Sequence, residues 1–126
     1  MTTEQGVGKL RSIVLDCPDP RALADFYGQL LGAQVVSDEE DWVVLADASG
    51  RRIAFQTSPD YEPPKFPDTT GSQQIHFDVL VDDIEVAQPR ALALGASLVQ
   101  AETDGAFRVY RDPVGHTFCL VWLPES

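Results

Sequence analysis

Long apolar runs are missing from this 126-residue chain. A membrane-crossing helix needs about 20 consecutive apolar residues, so the sequence offers no such span. Cysteine is scarce, with only Cys17 and Cys119, which rules out a disulfide-built scaffold. Basic residues are also few. Nine Lys and Arg stand against 20 Asp and Glu, a formal charge of −11, and such a balance repels phosphate backbones and anionic lipid surfaces. Neither nucleic acid nor a membrane is expected as a partner. The first ten residues, MTTEQGVGKL, lack the basic start and apolar stretch of a secretory signal, which makes the cytoplasm the expected location and leaves both thiols reduced.

What remains is 44% hydrophobic and 23% charged, the make-up of a soluble globular protein large enough for one domain with a real core. We expect a single domain over residues 1–126. Its organisation is written twice. LRSIVLDC (10–17) alternates as a strand. Asp19 then stands as a helix N-cap with Pro20 at the first helical position. Leu23, Phe26, Tyr27, Leu30 and Leu31 follow at helical spacing, and Gly32 ends the run. AQVVS (33–37), WVVLA (42–46) and RRIAFQ (51–56) are three further strands. The second half repeats this βαβββ order. QIHFDVLV (74–81) is a strand, residues 83–94 a helix stopped by Gly95, and ASLVQA, AFRVYR and HTFCLVW complete the unit. Asp19 matches Asp83, Gly32 matches Gly95, and the turn DASG (47–50) matches DPVG (112–115). Pro89 falls inside the second helix, where a kink or strained first turns are expected.

Module one thus spans about residues 9–57 and module two about 73–123, joined by a proline-rich linker over about 58–72. Tyr61 and Phe66 in that linker can either close over a pocket or anchor the loop.

The motifs DPRALADFYGQLLG (19–32), HFDVLVDDI (76–84) and DPVGHTFCLVW (112–122), in this order and spacing, resemble the vicinal oxygen chelate superfamily of glyoxalase, bleomycin resistance and dioxygenase proteins. The likeness covers nearly the whole chain and is strongest to glyoxalase-like members of unassigned activity. It implies an α+β fold in which tandem βαβββ modules form a cup-shaped mixed sheet, with the helices outside, and a homodimer that completes the sites. It also implies where metal ligands stand in metal-using members: on the first and fourth strands of each module, here Ser12, Ala54, His76 and Cys119. Serine and alanine replace two expected donors. A divalent metal needs better oxygen and nitrogen ligands than these. Gln56 in a shifted register and Cys119 as thiolate are the substitutes on offer, so a metal is disfavoured and no cofactor is expected.

Strand parity gives the lining of the cup: Ser12, Val14 and Asp16; Ala54 and Gln56; His76 and Asp78; Cys119 and Val121. The opposite faces carry Ile13, Leu15 and Cys17; Ile53 and Phe55; Ile75, Phe77, Val79 and Val81; Phe118, Leu120 and Trp122, an apolar set suited to packing under helices. We therefore expect ligand binding by Ser12, Asp16, Gln56, His76, Asp78 and Cys119. His76 is the candidate catalytic base, its ring oriented by Asp78; a hydrogen-bonded polar pair in a wet cleft is the favoured alternative. Cys119 suits a buried thiol better than a nucleophile, and His116 suits an exposed structural role. The leading expectation is a metal-free small-molecule-binding protein whose ligand is cationic or aromatic, with Trp42 and Tyr110 available for stacking if they face inward. The alternative is a glyoxalase-like lyase or isomerase that uses a divergent metal site or His76 as base.

Overall fold

The computed structural model describes residues 6–64, 75–101 and 105–123. Phe66 and the first residue of the expected fifth strand, Gln74, lie outside the described residues. The elements follow the doubled order. Module one has β1 (Ile13–Cys17), α1 (Pro20–Leu31), β2 (Gln34–Glu39), β3 (Trp42–Ala46) and β4 (Arg52–Thr57). Module two has β5 (Phe77–Leu80), α2 (Ile84–Leu94), β6 (Ser97–Ala101), β7 (Phe107–Arg111) and β8 (Thr117–Val121). The two sheets have the orders β1-β4-β3-β2 and β5-β8-β7-β6, each with one parallel pair, β1 with β4 and β5 with β8. This is the α+β tandem architecture expected from the repeat. The outer strands β1 and β5 are shorter than the apolar alternation predicts, and Ser12 and His76 each stand one residue ahead of the ladder.

Each helix starts where an aspartate caps it. The Asp19 carboxylate accepts from the Ala22 amide at 3.3 Å and that of Asp83 from the Glu85 amide at 2.9 Å. Gly32 ends α1 with φ 67°, a conformation that favours glycine. The helix α2 runs through Pro89, whose ring nitrogen has no proton for the Glu85 carbonyl. The repeat reaches finer detail as well. The β2–β3 ladder shifts register between Val35 and Ser37, the β6–β7 ladder between Leu98 and Gln100, so Val36 and Val99 are bulged at matching positions.

The core lies between the helices and the apolar sheet faces. Leu15, Cys17, Phe55, Phe118 and Leu120 are buried in it, with Ile53, Phe77, Val79 and Val81 packed against it, as parity requires. At its centre the Tyr27 ring stacks on Phe55 at 5.7 Å and meets Phe77 and Phe118 edge-on at 5.8 and 6.4 Å. One residue of α1 therefore touches strands of both modules, and aromatic contacts of this kind add to the stabilisation from burial alone. Tyr110 belongs to the same cluster. It is fully buried, stacks on Phe118 at 5.4 Å and donates its hydroxyl proton to Gln88 at 2.5 Å. It faces α2 and is not available to stack on a ligand, because its ladder partner is Phe118 and the two share the helix-covered face.

Among the described residues no helix is long and apolar enough to cross a membrane.

Candidate functional site

The parallel β5–β8 ladder sets Asp78 directly beside Cys119. His76 precedes β5 by one residue, and its Nε2 lies 3.2 Å from Asp78 Oδ1. The donor atoms of His76, Asp78 and Cys119 all fall within 4.8 Å of one another. Burial pushes the Cys119 thiol up to about 11, and the neighbouring Asp78 carboxylate adds to this both by its charge and as a hydrogen-bond acceptor. A thiol held protonated in this way is a poor nucleophile at neutral pH.

The module-one residues form two separate pairs. At the start of β1, Ser12 Oγ accepts from Arg52 Nε at a long 3.5 Å. At its other end, Gln56 donates to the Asp16 carboxylate at 3.4 Å, both residues being exposed. Asp16 lies four positions along the strand from Ser12, about 13 Å at the rise of an extended chain. Between these pairs Ala54 is fully buried, with Val14 and Val44 as its ladder neighbours.

His116 is half-buried, and its Nε2 lies 2.7 Å from the Asp16 carbonyl oxygen. Tyr61 packs its ring 5.4 Å from that of His116 and donates to the Val114 carbonyl at 2.9 Å. Burial pushes the Tyr61 phenol up to about 12. The linker is thus anchored to the second module's turn at Tyr61. Pro63 follows it so closely that a Cβ on Gly115 would stand 2.6 Å from the proline ring.

A cavity of about 780 Å³ opens along the seam between the modules, within the size range of small-molecule sites. Of the expected site residues it is lined by Ser12, His76 and Asp78, whereas Asp16, Gln56 and Cys119 lie off it. Its apolar wall comes from Leu30 and Leu31 at the end of α1, Leu45, Ile53, Phe77 and Val79. Three arginines that the sequence did not single out, Arg11, Arg51 and Arg52, also line it, against two aspartates, Asp47 and Asp78. Arg52 was legible in part: it is the fourth-strand residue two before Ala54 and so shares Ala54's face. That the cavity sits at the seam and takes residues from both sheet faces had no signal in the alternation.

A metal bridging both modules does not fit these residues. Ala54 has no donor atom, and the Ser12 hydroxyl is paired with Arg52. The three donors of module two suit a zinc-class ion by type. Ligand atoms around tetrahedral zinc stand about 3.3–3.8 Å apart, so the set must close by about 1 Å to hold one.

Residues 12–121 match the family model described as a glyoxalase-like domain. No curated protein matches the sequence. Among solved structures, a glyoxalase/bleomycin resistance protein/dioxygenase family enzyme from Burkholderia phytofirmans PsJN superposes with a TM-score of 0.72 at 24% identity, covering 93% of this chain and 100% of that one. A possible glyoxalase from Bacillus cereus gives 0.69 at 15% identity, covering 92% and 99%. The oxidase ChaP-H2 gives 0.67 at 18%, covering 96% and 98%. At these identities the likeness is one of fold.

Proposed function

The chain belongs to the glyoxalase-like domain family, and from that premise we propose that it binds a small molecule in the seam cavity without the aid of a catalytic metal. The observation that carries this reading is the cavity itself: about 780 Å³, apolar over most of its wall and edged by a few charged groups, which is the make-up of a ligand site rather than of a packing flaw. The donor set supports the metal-free half of it, since Ala54 and Ser12 stand where a bridging metal needs ligands.

The reading places the protein in the cytoplasm as a homodimer with an interface of standard size, about 1,600 Å² in total. Protein purified without added metal should contain no stoichiometric Zn, Ni, Fe or Mn, and chelator should leave its melting temperature unchanged. A shape-diverse ligand screen should yield compounds that raise it, because a ligand of the folded state alone stabilises that state. A monomer at micromolar concentration in sedimentation counts against the dimer. A screen without a single stabilising compound counts against the ligand site.

A second reading has its own support. His76, Asp78 and Cys119 are clustered and would, on closing by about 1 Å, form a one-module metal site for a lyase or isomerase, with His76 as the alternative metal-free base. One tightly bound metal per chain, lost in His76→Ala, establishes that reading in place of the first.

A further inference from the structure

We propose that the ligand of the seam cavity is an amphipathic anion, a small molecule with an apolar body and one carboxylate, sulfonate or phosphate group seated on Arg52. This rests on the reading of the cavity as a ligand site and gives that ligand the opposite charge to the one expected from the acidic sequence. Three observations lead to it. The sequence-based acidic pocket is divided, since Asp16 lies at the far end of β1, off the cavity. The two aspartates that do line the cavity are already engaged: Asp47 is bound by Arg51 through Nε at 2.8 Å and caps its own turn, and Asp78 sits 3.2 Å from His76.

Arg52 is differently placed. The parallel pairing of Ile13 with Ile53 sets it next to Ser12, and the bond between its Nε and Ser12 Oγ is long, 3.5 Å. It is half-buried against the apolar wall, and among the described residues no carboxylate forms an ion pair with its guanidinium. A planar fork of this kind is suited to an oxyanion, with the serine hydroxyl as a further donor. The apolar wall formed by Leu30, Leu31, Leu45 and Phe77 then takes the body of the molecule. The chain's overall charge of −11 does not oppose this at close range, because exposed charges are screened beyond about 8 Å at physiological salt.

The test uses two fluorescent probes with almost the same apolar body, 8-anilinonaphthalene-1-sulfonate and uncharged N-phenyl-1-naphthylamine, titrated into the full chain. The sulfonate should bind about tenfold or more tightly at physiological salt, and its advantage should shrink as salt is raised further. Arg52→Gln should reduce the preference to about twofold or less while leaving the uncharged probe's affinity in place, which also shows that the cavity is still folded. Arg52→Lys should keep part of the preference, and Arg51→Gln, which removes the arginine held by Asp47, should leave it within about twofold. Equal binding of the two probes by the parent protein, or a preference that survives Arg52→Gln, overturns the anion proposal and leaves the ligand-site reading standing. If neither probe binds the parent, the ligand-site reading itself fails.

Discussion

The turns DASG and DPVG are built alike and used differently. In module one the Asp47 carboxylate accepts from the Ser49 and Arg51 amides at 2.9 Å each, and its second oxygen takes the exposed Arg51 side chain. In module two the Asp112 carboxylate accepts from the Val114 and His116 amides at 2.9 and 3.0 Å, and its second oxygen takes the buried Tyr27 hydroxyl of the other module at 2.6 Å. One motif is a surface turn. The other is a peg in the interface, with Asp112 only 3% exposed. The helices differ in the same sense: α1 buries Pro20, Leu23, Ala24, Phe26 and Tyr27, whereas α2 buries Ala91 alone. Duplication supplied two copies of a unit, and the packing of one helix between the sheets made them unequal.

Substitutions in the two modules should reveal that inequality. The largest effect is expected for Phe26→Ala, which empties a ring position in the shared core and should cost about 3–5 kcal/mol in urea denaturation; Leu92→Ala, on the exposed side of α2, should cost under about 1 kcal/mol. Similar losses for both would mean that the modules share the core equally. Asp112→Ala removes two turn bonds and leaves the Tyr27 hydroxyl buried without its acceptor, a loss of about 2–4 kcal/mol, against a smaller loss for Asp47→Ala at the surface turn. Tyr27→Phe in the Asp112→Ala background should then cost far less than it does alone, because the two share one interaction.

The buried thiols give a pH-dependent comparison. Cys17 and Cys119 are each raised from 9.0 to about 11, chiefly by burial, with Asp19 the next cause for Cys17 and Asp78 for Cys119. Between pH 9 and 11 the unfolded thiols lose protons that the folded ones keep, so the stability they contribute is intact below pH 9 and falls as pH rises through that window. Cys119→Ala should reduce the alkaline loss by about 2 kcal/mol, measured as the difference between unfolding at pH 9 and pH 11. An unchanged slope would show that Cys119 titrates normally. A gain rather than a loss is expected from Pro89→Ala in α2, which restores a donor to the Glu85 carbonyl and should raise stability by about 1–2 kcal/mol. A loss there would mean that the helix is shaped around its proline.

Element order, the caps at Asp19 and Asp83, the terminating glycines and the apolar faces of β1, β4, β5 and β8 were legible in the residues alone, because they depend on contacts within a few positions and on the period-two and helical repeats that local geometry imposes; Ile75, expected on the helix-covered face, is instead 63% exposed ahead of β5. His76 and Asp78 were legible as a pair for the same reason, since they share a strand face; Cys119 was placed near them only by what the family resemblance implies, and the β5–β8 pairing sets it beside Asp78. Spacing could not show that Asp16 and Gln56 lie off the cavity, that Arg52 lies on it, or that Asp112 is buried under Tyr27. Each of these depends on how one module sits against the other, through contacts between residues as far apart in sequence as Tyr27 and Asp112. In this protein the sequence by itself determines the two modules, which local forces build one at a time. The seam between them, with the cavity and its charge, is decided only when the aromatic core of α1 draws the two sheets together.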